Sequence, residues 1–171
     1  MIRLTYIVFL TTLCVFAELT LRGFGLFFPF AAFFVFYVAT AFGPRPAFAA
    51  AFLAACGLDF AGGCGAAHPW SFLALSAVIG LSFFWLHQVE SESILLHSVP
   101  GAAIPFIVWL VSLIFLAEHR FSAFAEQFPG VVLASFLASI LLPVMIYALD
   151  TLNEKLGLDL YTDAKIKLKI Q

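Results

Sequence analysis

Apolar residues run along this chain in long stretches, broken only by short clusters of glycine, proline and charge. A spanning helix needs about 20 mostly apolar residues, at about 1.5 Å each, to cross about 30 Å of hydrocarbon. Six stretches meet that length, approximately Leu4 to Leu21, Phe24 to Phe42, Ala47 to Ala66, Trp70 to Gln88, Val99 to Ala117 and Val131 to Leu149. The breaks between them are Arg22-Gly23, Gly43-Pro44-Arg45-Pro46, His68-Pro69, the polar run Glu90 to Ser98, and Glu118 to Gly130. Connections this short make neighbouring helices antiparallel. The pattern predicts an all-α membrane protein, a compact bundle of six transmembrane helices in one domain over residues 1–150, with a short tail over 151–171. The first 17 residues also have the form of a signal peptide, with Arg3, an apolar run and then Val15-Phe16-Ala17. The apolar stretch continues through Leu19 and Leu21, so the expectation is a retained first helix.

Composition agrees with lipid as the solvent. Of 171 residues 64% are hydrophobic and 11% charged, against roughly 25% charged in an average soluble domain. The 22 Phe residues fit the same reading, since Phe enters hydrocarbon without a polar atom that needs a partner. Charge then bears on orientation. With the N-terminus inside, the cytoplasmic segments hold Arg3, Arg45, Lys155, Lys165, Lys167 and Lys169, and the outer loops hold only Arg22 and Arg120. The positive-inside bias therefore predicts both termini in the cytoplasm.

The third stretch differs from its neighbours. It is built on alanine, and Ala47, Ala51 and Ala55 stand four apart on one face. Small residues at this spacing let membrane helices approach closely, either within the bundle or at a seam with a partner. The same helix runs into Gly57, Asp59 and the run Gly62-Gly63-Cys64-Gly65, which suggests a broken or re-entrant end. Counted from Ala47, Asp59 lies about 18 Å along the helix. An ionisable group at that depth is costly unless it is paired or wet. Asp59 is thus either a polar keystone that fixes the turn or meets a partner, or a residue nearer the outer interface. Glu18 precedes Arg22 by four residues, the favourable order for an ion pair along one helix face, with contact to a neighbouring protein as the alternative. Pro29, Pro105 and Pro143 fall inside apolar stretches, where each frees a carbonyl and can kink its helix.

Catalytic templates do not fit. Gly80-Leu81-Ser82-Phe83 approaches the GxSG of intramembrane serine proteases but lacks the final glycine. His68, His87, His97 and His119 lie at helix ends or in connections, and the Glu118-His119-Arg120 cluster is read as solvated. There is no HExxH, no aspartyl pair and no phosphate loop. Cys14, Cys56 and Cys64 have no zinc-binding spacing and read as small packing residues. The expectation is a protein without enzymatic activity, metal, cofactor or nucleic-acid partner. In the tail, Leu149, Leu152 and Leu156 continue a helical face up to Gly157, a plausible stop. From Lys165 the chain alternates lysine with Ile166, Leu168 and Ile170, which is strand periodicity. This segment could add to a partner's sheet, lie on anionic headgroups, or simply fray.

Three segments together resemble the rod shape-determining MreD family: the Pro29 to Tyr37 stretch, the GLDFAGGCG segment that closes the alanine-rich helix, and the final span SFLASILLPVMIYALDTLNEKLG. Gly57, Asp59 and Gly65 occupy the positions of that family's Gly/Asp element, with compressed spacing. The resemblance implies a non-enzymatic scaffold of the bacterial inner membrane. It would belong to the cell-elongation complex, bind MreC, and work beside MreB filaments, the glycosyltransferase RodA and a class B penicillin-binding transpeptidase. The competing class is the substrate-binding S component of an energy-coupling-factor vitamin transporter, of similar length and helix number. Those subunits carry an Ala-x-x-x-Ala face on the first helix, where this chain has only Ala17.

Overall fold

A computed structural model describes residues 2–61, 70–88, 97–116 and 120–158. Among these the chain is all-helical, in the order α1 (Ile2–Gly23), α2 (Phe30–Ala41), α3 (Pro44–Ala61), α4 (Trp70–Gln88), α5 (Ser98–Leu116) and α6 (Arg120–Leu156). Four of them, α1, α4, α5 and α6, are long and apolar enough to cross a membrane. The Gly62–Gly65 run, including Gly65 of the Gly/Asp element, lies outside the described residues, as do His68, His119 and the lysine-rich tail.

Helix boundaries follow backbone chemistry more than hydropathy. The first helix stops in a Schellman turn: the Gly25 N–H donates to the Arg22 carbonyl at 2.9 Å and the Leu26 N–H to Leu21 at 3.0 Å, with Gly25 at φ 75°. Hydropathy predicts helix from Phe24 in the second stretch, yet the helix begins only at Phe30. Pro29 therefore sits at the N-cap, not inside the helix where it would kink it. Proline has no N–H and clashes with a preceding turn, so a helix can begin beside it at little cost. Gly43 at φ 88° reverses the chain, and Pro44 occupies the first turn of α3, where a missing N–H costs nothing.

The expected loop from Glu118 to Gly130 is largely helix, because α6 begins at Arg120 and runs through Pro129 and Pro143 for 37 residues. Aromatic packing supports this extra length. Trp109 of α5 lies 5.2 Å from Phe124 and 6.1 Å from Phe128, ring centre to ring centre, and its indole N–H donates to Gln127 Oε1 at 3.0 Å. At the far end α6 passes the expected domain boundary at residue 150 and stops at Gly157 (φ 63°) in a second Schellman turn, with the Leu158 N–H on the Asn153 carbonyl at 2.9 Å.

The core is organised around α2. Every residue from Ala31 to Ala41 is buried, and α1, α3, α4 and α5 all pack against it. The alanine face of α3 makes this closeness possible, with Ala47, Ala51 and Ala55 all buried where α3 meets α1, α2 and α4. Gly57 serves the same end, since a Cβ there would stand 3.0 Å from a methyl of Val15 in α1. The α5–α6 hairpin joins at one side. Gly101 of α5 lies so close to α6 that a Cβ would meet the Ala138 carbonyl oxygen at 2.6 Å.

Candidate functional site

The carboxylates that bond from one helix to another, Glu18, Asp59 and Asp150, lie towards the two ends of the bundle. At the end formed by the close of α1 and α3 and the start of α2 and α4, two carboxylates act in parallel ways. Glu18, 2% exposed, accepts a hydrogen bond from its own Arg22 at 2.5 Å and another from the Ala31 N–H at 3.1 Å. Ala31 is the second residue of α2, whose N-cap position is a proline with no side chain able to cap it. Glu18 therefore supplies from α1 the acceptor that a Ser or Asp N-cap would supply locally, at the positive end of the helix dipole. Asp59, 8% exposed, accepts from the Ser71 hydroxyl, and Ser71 is the second residue of α4. Each carboxylate thus leaves the last turns of one helix and ties down the first turn of another.

Arg22 links the two pairs. Its guanidinium, neutralised by Glu18, lies over the Trp70 ring at 5.9 Å, within cation–π reach. Trp70 is the neighbour of Ser71 and itself buried. The sequence pairing of Glu18 with Arg22 is present, but its anchor to α2 and its stacking on α4 cross 13 and 48 residues and have no local signature, the latter counted from Arg22 to Trp70. Between these residues lies a cavity of about 10 Å³, whose walls include Glu18, Arg22, Ala32, Trp70, Ser71 and Ala74.

The opposite end holds a second network that sequence reading missed. The Tyr37 hydroxyl of α2 donates to Asp150 Oδ1 at 2.7 Å and accepts from Asn153 Nδ2 at 2.8 Å. Asp150 and Asn153 stand three apart on α6, the spacing that puts two side chains on one face, and that spacing was the available signal. Nearby, Arg3 donates to the Phe42 carbonyl at 2.9 Å and covers the Phe42 ring at 4.5 Å. The start of α1, the close of α2 and the close of α6 therefore share one end of the bundle.

Of the remaining candidates, Ser82 is fully buried and donates to the Ile79 carbonyl at 2.6 Å, a helix-internal bond. Pro143 lies half-buried within α6. Cys14 and Cys56 are free thiols on separate helices. Among the described residues no group of His, Cys, Asp or Glu is arranged to hold a metal ion.

One large concavity opens on the side of the bundle. It is an apolar groove of about 810 Å³ between the close of α1 with the connection that follows it (Leu21, Leu26, Phe28) and α6 (Val131, Leu137, Ile140), with Trp109, Ser112, Glu126 and Gln127 also on its walls. Set against protein-family models, curated proteins and solved structures, the chain matches none of them.

Proposed function

We propose that this chain is a multi-pass scaffold of the bacterial inner membrane, of the MreD kind, with both termini in the cytoplasm and all six helices crossing. In this reading it binds MreC and, with RodA, a class B penicillin-binding transpeptidase and MreB filaments, serves cell elongation. The observation that carries the proposal is the contrast between polar and apolar groups. Glu18, Asp59, Tyr37 and Asp150 are engaged with other residues of the chain, whereas α6 offers an apolar face and a bordering groove. A protein built so acts on its surroundings through helix faces. Helix α2 spans only 12 residues, about 18 Å by the helical rise, and depends on the four helices around it for its passage.

The groove also favours the second reading, a substrate-binding S component, since concave apolar sites with a few polar groups suit small ligands. Purification of the tagged protein in mild detergent, followed by identification of what travels with it, separates the two. Recovery of cell-elongation proteins is expected, and recovery of ABC-type ATPases would overturn the scaffold. Asp59→Asn offers a finer measure: unchanged cell shape and unchanged partner recovery would remove Asp59 from any partner-related role. A reporter fused after Gln171 is expected to read cytoplasmic.

A further inference from the structure

We infer that the small cavity between α1, α2 and α4, closed also by Leu58 of α3 and Val108 of α5, is a binding site for a single water molecule, which completes the Glu18 network. Two donors on residues that border this region have no acceptor among the described residues: the Trp70 indole Nε1–H and the Arg22 Nε–H, both on atoms closed to solvent. Trp70 is more than nine-tenths buried, and both residues line the cavity. A buried donor without an acceptor is costly, and both of these belong to residues on the wall of one cavity, so an occupant that accepts from them is stabilising. The same walls hold acceptors, the Glu18 carboxylate and the Ser71 hydroxyl.

Volume and charge select the occupant. The cavity is about 10 Å³, roughly the space one water needs and too little for anything larger. Glu18 and Arg22 neutralise each other there, so neither a cation nor an anion gains a net attraction. Water can accept from the two orphaned donors and return its own hydrogens to Glu18 and Ser71, which meets the usual requirement of 2–4 polar partners. The bridge then joins α1 to α4, beside the direct bond from Glu18 to α2. It links the ion pair to the Ser71–Asp59 pair, so that four helix ends form one hydrogen-bonded unit.

Nuclear magnetic resonance of the full chain in nanodiscs, with ¹⁵N-labelled tryptophan, tests this site. The three indole signals are assigned by Trp→Phe variants at Trp70, Trp85 and Trp109. A water-to-indole Overhauser cross-peak is expected at Trp70, and its loss is expected in Ala74→Val, which fills the cavity wall. Absence of the cross-peak in the unsubstituted protein would overturn the proposal. So would its survival in a folded Ala74→Val protein, since the water would then lie elsewhere. Should that variant not fold, a density map at a resolution that shows ordered water decides the matter. A peak within hydrogen-bonding distance of both Trp70 Nε1 and a Glu18 oxygen supports the site, and a map without one rejects it.

Discussion

Helices α2 and α6 are made of similar material and live in different surroundings. The first reads FAAFFVFYVATA and the second contains VVLASFLASILLPVMIYAL, both apolar all round. Yet α2 is enclosed by α1, α3, α4 and α5, while α6 packs chiefly on α5 and leaves Leu133, Phe136, Ile140, Val144 and Tyr147 exposed along one side. In a soluble protein these two positions would differ in polarity, because a surface helix needs a wet face. In lipid the outside is as apolar as the core, so the selection that writes an amphipathic stripe is absent. What separates inside from outside here is the closeness of packing and where the few polar groups are tied.

That contrast can be broken first at the core. Phe33 of α2 is fully buried, and Phe33→Ala is expected to cost about 3–5 kcal/mol through lost contacts and the cavity left behind, read as a lowered unfolding midpoint in detergent. Glu18→Ala removes the acceptor at the start of α2 and strands Arg22. With Arg22 26% exposed, the loss is expected to fall below the about 3–5 kcal/mol of a fully buried pair, and Glu18→Gln, which can still accept the Ala31 N–H, should recover part of it.

Smaller effects are expected where α6 joins the rest. Gly101→Ala places a methyl against the Ala138 carbonyl and should cost about 1–3 kcal/mol by forcing α5 and α6 apart. The Trp109 indole reports this event, because its bond to Gln127 spans the same pair of helices. Tyr37→Phe removes the hydroxyl shared by Asp150 and Asn153, at a cost of about 1–3 kcal/mol. Last comes Phe136→Ala on the exposed side of α6, expected to stay within about 0.5 kcal/mol. If Phe136→Ala matched Phe33→Ala in its effect on the unfolding midpoint, the distinction between an enclosed α2 and an open α6 would fail.

Much of the layout was legible in the chain, for reasons that differ from residue to residue. Helices α1, α4 and α5 fall close to the expected stretches because length and hydropathy suffice to mark them. Gly157 ends α6 as expected, since a left-handed terminal residue has a local signature. The sequence places the start of α6 too late, because Glu126, Gln127, Pro129 and Gly130 look like a loop when read alone. Their helix is supported by Phe124 and Phe128 packing on Trp109, a contact between two helices. The sequence places the start of α2 too early for the opposite reason: Phe24 to Phe28 is apolar enough to be helix, but Pro29 allows a helix to begin after it.

The polar sites show the same division. The Glu18–Arg22 pair was readable because four residues make one turn and a neighbour, and the alanine spacing of α3 because small residues in lipid exist to be approached. The partners of Asp59 and Tyr37 were not, since Ser71 and Asp150 reach them only through the fold. By itself, then, the sequence determined that this chain is apolar, helical and long enough to cross a membrane more than once. Length and hydropathy are properties of each stretch by itself, and they mark four helices as able to cross a membrane. Only the tertiary structure decided that α2, not the alanine-rich α3, is the enclosed centre, that α6 is the open flank, that Glu18 caps α2, and that Asp59 meets the Ser71 hydroxyl at the start of α4. Those outcomes depend on which helices meet, and in lipid no periodic polarity along the chain records that choice.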